Sequence, residues 1–213
     1  MALSDLFLET PPRHVMPARL VRLFLGLTLF GLGVALMVRA ELGLSPWEVL
    51  HQGISFKTGI LIGTVGIIVG FLVLLGWIPL RERLGIGTVS NVILIGIVID
   101  LTLWRLPDTI SSTPLRWMML LGGVLMIGVA TSLYIGTGLG PGPRDGLMTG
   151  IAKRGLPIGA VRTGIELTVL AVGWLLGGTV GIGTVLFAFG VGPIVHVTLP
   201  WLTVEPSTAE ELA

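Results

Sequence analysis

Six apolar runs, each close to twenty residues long, leave this chain few folds to choose from. They fall at about 19–39, 58–78, 86–105, 115–137, 157–177 and 181–201, and the breaks between them carry charge, glycine or proline. A helix of about 20 apolar residues crosses a hydrocarbon core of roughly 30 Å. Over 213 residues, 53% are apolar and only 12% charged, and the mean hydropathy is +0.96. A water-soluble domain of this size needs far more charge to cover its surface. The expected class is therefore an all-α membrane protein with six transmembrane helices. A transmembrane β-barrel would show alternating ten-residue strands instead of continuous runs.

Composition removes several kinds of chemistry. The chain has no cysteine, so disulfides, thiolate ligands and cysteine nucleophiles are excluded. His14, His51 and His196 lack the i,i+4 spacing of a helical metal site. A net charge of +1 implies no nucleic-acid partner. No Ser–His–Asp set or phosphate-binding loop can be assembled, so no catalytic residue, metal or cofactor is expected and the chain does not read as an enzyme. The bilayer is the one partner implied directly; homo-oligomers and membrane partners stay open.

The two halves repeat each other. At an offset of 97, Leu42, Gly43, Pro46, Leu50, Gly53 and Ile54 match Leu139, Gly140, Pro143, Leu147, Gly150 and Ile151. At an offset of 96, GIGTV at 85–89 recurs at 181–185, and DLTL at 100–103 answers HVTL at 196–199. A collinear series of this length marks a duplication. Each half holds three spans, an odd number, so the second half enters the membrane from the opposite side as an inverted repeat. The expected organisation is a tail over 1–18, a first repeat over 19–106, a linker over 107–114, a second repeat over 115–202 and a tail over 203–213. Basic residues set the orientation. One side carries Arg13, Arg19, Arg22, Arg81, Arg83, Arg144, Lys153 and Arg154, the other Arg39, Lys57, Arg105 and Arg116, which places both termini in the cytoplasm.

Residues 46–57 and 143–154 are too short to cross unaided and read as re-entrant or interfacial half-helices. Ser45-Pro46-Trp47-Glu48 has the residues of a helix start: a serine cap, proline in the first turn, and glutamate completing a capping box. In the second half Gly142, Pro143 and Asp145 take the same places, after Gly138, Gly140 and Pro141 end the preceding span. Free N–H groups at a helix start attract anions, and inverted-repeat transporters hold substrate at such breaks. Ser45, Pro46, Glu48, Gly140, Gly142, Arg144 and Asp145 are accordingly the candidate substrate-binding residues. The competing reading is a pair of ordinary capped turns at the membrane surface.

Arg162 and Glu166 are four residues apart inside one span, on one helix face. They are candidates for coupling transport to a proton or cation, or else a structural ion pair. Asp100 and His196 occupy equivalent places near the ends of spans three and six and are candidate gates, though a lone polar residue there can simply snorkel to the interface. Arg39 and Glu41 form a candidate outward-facing pair. Glycines within spans read as helix-packing positions, and Trp47, Trp77, Trp104, Trp117, Trp174 and Trp201 as an aromatic belt.

LGLSPWEVLHQGIS, WIPLRERLGIGTVSN and GLGPGPRDGLMTGIA together resemble the YczE branch of the bacterial YczE/YyaS/YitT membrane proteins, over roughly 20–202. The resemblance implies a multi-pass protein of the bacterial cytoplasmic membrane and transfers no catalytic or substrate residue. The leading functional expectation is a transporter for a small polar or anionic solute, working by alternating access. The alternative is a non-transporting accessory or regulatory protein that acts through partner helices.

Overall fold

The computed structural model describes residues 15–203, and the expected tails fall mainly outside that range. Eight helices make up the described chain: α1 (Met16–Ala40), α2 (Pro46–Thr58), α3 (Ile62–Leu80), α4 (Ile86–Arg105), α5 (Thr113–Ile135), α6 (Pro143–Ala152), α7 (Ile158–Leu175) and α8 (Ile182–Leu202). Six of them, all but α2 and α6, are long and apolar enough to cross a membrane. The exposed faces of these six carry large apolar side chains such as Phe71, Leu75, Leu101 and Phe189, which suit contact with lipid. At 13 and 10 residues, α2 and α6 reach only about 20 and 15 Å.

Span boundaries follow local chemistry. Pro17 opens α1, where a missing N–H costs nothing, so α1 begins inside the stretch expected to be tail. The second span starts at Ile62 rather than 58, because α2 continues to Thr58 and ends on Gly59 in the left-handed region at φ 74°.

At the centre, α1 and α5 pack against each other through glycines. A Cβ on Gly123 would lie 2.7 Å from the Gly33 carbonyl oxygen, and one on Gly33 would lie 2.9 Å from that of Gly123. Outer helices then attach to this pair in a matched way. Gly31 of α1 receives Val98 of α4, and Gly128 of α5 receives Ile194 of α8. Without water to squeeze out between helices, close approach at small residues supplies much of the attraction. Val34, Met37, Leu120, Val124 and Ile127 fill the core along this axis.

The segments before α2 and α6 are held by loops of the opposite half. The N–H of Gly183 donates to the Leu42 carbonyl at 2.7 Å, and the N–H of Gly87 donates to the Leu139 carbonyl at 2.9 Å. Both acceptors precede a glycine with positive φ, Gly43 at 117° and Gly140 at 124°. Thr88 adds a bond from its hydroxyl to the Pro141 carbonyl at 2.8 Å. The N–H of Thr179 donates to the Gln52 side chain at 2.7 Å. The first turns of α4 and α8, each written GIGTV with its preceding glycine, thus supply donors to an interrupted backbone that would otherwise lie unpaired.

The halves differ in one respect. Gly63 of α3 touches Gly96 of α4 so closely that neither has room for a side chain, whereas nothing lies within 4 Å of a Cβ on Gly159 or Gly192, the matching positions of α7 and α8. Only Val161 and Gly173 are buried in α7, and only Gly183 and Thr184 in α8. The α3–α4 hairpin is shut and the α7–α8 hairpin is splayed.

The central glycine contact makes a sharp prediction. Gly123→Val should force α1 from α5 and cost about 1–3 kcal/mol, seen as a lower unfolding midpoint in detergent. Gly122→Val, whose Cβ meets nothing within 4 Å, should leave that midpoint unchanged.

Candidate functional site

The starts of α2 and α6 face one cavity of about 280 Å³ whose other walls come from α1, α3, α4, α5, α7 and α8. Ser45, Pro46, Glu48, Gly142, Arg144 and Asp145 all line it. Gly140 does not; its backbone packs against Gly85 and Thr88 instead. Arg162 and Glu166 enter the cavity from α7, near the middle of that helix.

Glu48 is the electrostatic centre. It is 3% exposed, and Arg144 reaches it from the other half with both terminal nitrogens, at 2.5 Å to Oε1 and 3.4 Å to Oε2. The same guanidinium lies 5.1 Å from the centre of the Trp47 ring, a cation–π contact. His51 Nδ1 stands 3.9 Å from Glu48 Oε1. A buried carboxylate is tolerable only with such partners. The Ser45 hydroxyl donates to the Glu48 carboxylate, and no side chain caps the backbone of α2, so the expected capping box does not form. The Glu48 side chain turns toward Arg144 and draws the serine with it.

Asp145 occupies the same helical position in α6. It accepts a hydrogen bond from the Tyr134 hydroxyl at 3.2 Å and takes part in no ion pair within 4 Å among the described residues. Arg162 Nε and Glu166 Oε1 form an ion pair at 2.9 Å, with side chains 63% and 30% exposed. Beside these charges stand four aromatic rings, Phe30, Trp47, Tyr134 and Phe187. The indole Nε1 of Trp47 and Nε2 of His51 are buried without a hydrogen-bond partner.

Asp100, His196, Arg39 and Glu41 do not line this cavity. Asp100 accepts from the N–H groups of Gly63 and Thr64, at 2.6 and 2.8 Å, and from the Thr64 hydroxyl at 2.8 Å. It is a cap on the start of α3, supplied by α4. His196 is exposed and outside the cavity lining. Arg39 and Glu41 do not pair with each other. Arg39 bonds Asp108 and the Leu103 carbonyl, because α4 ends beside it, and Glu41 faces Arg116 at 3.6 Å. Trp77 is not part of a belt: it is 1% exposed, its N–H donates to the Pro143 carbonyl at 3.0 Å, and its ring lies against Gly146. Trp47 is buried as well.

Sequence reasoning passed over Tyr134, His51, Asn91 and the aromatic walls. His51 was within reach, since it lies one turn after Trp47 and three residues after Glu48 on α2. Tyr134 is the chain's one tyrosine, but nothing in its apolar helix marks the hydroxyl as a partner of α6.

The Glu48–Arg144 pair should respond unequally to its two deletions. Arg144→Gln strands a buried carboxylate and should cost about 3 kcal/mol. Glu48→Gln leaves a guanidinium that reaches cavity water and should cost clearly less. Thermal unfolding of the two variants and the double variant, compared as a cycle, reads the difference.

Comparison with known proteins agrees with this architecture and leaves the chemistry open. The family of unknown function DUF6198 matches residues 17–200. A Haemophilus influenzae relative described as an uncharacterized protein is 43% identical over 83% of this chain and 81% of its own. The Bacillus subtilis "uncharacterized membrane protein YczE" is 38% identical over 83% of each chain. Bacillus subtilis YyaS, also described as uncharacterized, is 27% identical over 83% of this chain and 90% of its own. No solved structure matches. With the family match running over residues 17–200, through the six long helices and both interrupted segments, the chain belongs to the family of unknown function DUF6198 and is a relative of YczE and YyaS.

Proposed function

We propose that this protein is a transporter that moves a small polar solute across the bacterial cytoplasmic membrane by alternating access between two inverted repeats. The observation that carries the reading is the unequal state of two equivalent hairpins around one charged cavity. Gly63 and Gly96 are in contact while Gly159 and Gly192 stand open. In an inverted repeat these are the two gates, one shut and one open, and exchanging their states moves the opening to the other face.

The direction of opening follows. The α3–α4 hairpin is shut at the end where Asp100 caps α3. The α7–α8 hairpin opens at the opposite end, with Arg19, Arg22, Lys153 and Arg154. That basic end is cytoplasmic in our reading, so both termini lie in the cytoplasm and the conformation is inward-facing. A latch of unequal strength supports this resting state: Asp100 accepts three bonds, whereas an imidazole, as at His196 in the equivalent place, has at most one acceptor. Transport of this kind breaks no covalent bond, so we read the protein as a carrier and not an enzyme.

Arg162 and Glu166 keep the coupling role. An ion pair this exposed adds only about 0–1 kcal/mol of stability, too little to explain a charged pair in mid-span by packing alone. Glu166→Gln should therefore uncouple uptake from an imposed proton or sodium gradient, measured in proteoliposomes.

The gate itself is directly testable, because the chain has no native cysteine. Gly159→Cys with Gly192→Cys fits the open space around both positions. Oxidation should join them, since closure like that of Gly63 and Gly96 brings their Cα atoms within disulfide range of about 7 Å. Adding His196→Asp, which copies the Asp100 latch, should speed the cross-link several-fold. No cross-link under any condition, no flux of any solute in a broad panel, and co-purification with one stable membrane partner would establish the accessory reading instead.

A further inference from the structure

The cavity's charges are not arranged to receive an anion. Both cationic side chains in it are engaged, Arg144 by Glu48 and Arg162 by Glu166. Each helix start is also occupied from within, since Glu48 and Asp145 are themselves the acidic residues of the first turns of α2 and α6. A helix N-terminus with its own carboxylate has little positive potential left for a ligand. An incoming anion would have to break one of the two ion pairs.

For a cation the balance is the reverse. Three carboxylates and two guanidinium groups line the cavity, and Asp145 is the carboxylate without an ion-pair partner within 4 Å among the described residues. Tyr134 holds it by a single hydroxyl bond at 3.2 Å, which leaves other lone pairs free. Asp145 is only half-buried, so a solute in the cavity can reach it. Phe30, Trp47, Tyr134 and Phe187 line the same cavity, and the Trp47 ring already holds one cation, the Arg144 guanidinium, 5.1 Å from its centre; aromatic walls of this kind draw a weakly hydrated organic cation more than a hydrated metal ion.

We propose that the central cavity is a recognition site for a small organic cation, with Asp145 as its counter-charge and the four aromatic rings as its walls. The proposal rests on the transport reading for what the site is for, and on the cavity alone for what it binds.

Full-length protein in nanodiscs, titrated with tetramethylammonium chloride at constant ionic strength, tests it by calorimetry and tryptophan fluorescence. The expected result is saturable binding of tetramethylammonium that sodium chloride and sodium acetate do not reproduce. Asp145→Asn should weaken it at least tenfold, and Asp145→Glu should restore most of the loss. Tyr134→Phe, which frees Asp145 of its bond and keeps its charge, should bind at least as well as the parent. Saturable acetate binding with none for tetramethylammonium would overturn the proposal, as would undiminished affinity in a folded Asp145→Asn. If that variant does not fold, loss of binding in Tyr134→Phe overturns it instead. Cation binding without flux would overturn the transport reading and leave this one standing; flux of an anion without cation binding would do the opposite.

Discussion

An interrupted helix in apolar surroundings must find partners for the backbone groups that the interruption exposes. Unpaired N–H and C=O groups there cost several kcal/mol each, with no water to relieve them. This protein interrupts its chain twice, before α2 and before α6, and answers both breaks in one way. Thr179 and the first turn of α8 reach the first, and the first turn of α4 reaches the second. Each break thus draws part of its pairing from the other half. The remaining architecture follows from that exchange, because it fixes each hairpin against the opposite half and brings the two helix starts face to face.

Once the starts meet, their charges must be compatible. Two acidic first turns pointing at one cavity would repel, and the Arg144 guanidinium relieves this by bridging to Glu48 across the halves. Arg144 does not hold Asp145 in the same way, since that carboxylate is bound by Tyr134. The halves are thus similar in backbone and unlike in charge: the place of Trp47 on α2 is taken by Arg144 on α6. A strictly symmetric pair of sites would hold two identical charges at close range. Divergence at that position turns a repulsion into the strongest contact between α2 and α6.

Much of this was legible in the sequence, for identifiable reasons. The six spans follow from length and polarity. Both short helices follow from proline and glycine placed where a helix must stop and start, and the recurring GIGTV and Leu-Gly steps mark where α8 bonds Leu42 and α4 bonds Leu139. What escaped was set by tertiary position. Asp100 and His196 occupy matching places, yet one caps a neighbouring helix and the other is exposed, because only one hairpin is shut. Trp77 and Trp174 match as well, but Trp77 lies buried against Gly146 and Trp174 is 65% exposed. Sequence periodicity shows which contacts are available; it carries no record of which are made in a given state.

That distinction bears on the asymmetry itself. A fixed structural role for Gly159 and Gly192 would call for a neighbour close enough to need a glycine, as at Gly63 and Gly96, and none is present. Helical glycine is also unfavourable by about 1 kcal/mol relative to alanine, and Gly122 and Gly164 are as free of neighbours as Gly159 and Gly192; what sets the latter two apart is their match to Gly63 and Gly96. Under the transport proposal that match has a use: a second conformation in which α7 and α8 meet at Gly159 and Gly192, as α3 and α4 do here at Gly63 and Gly96.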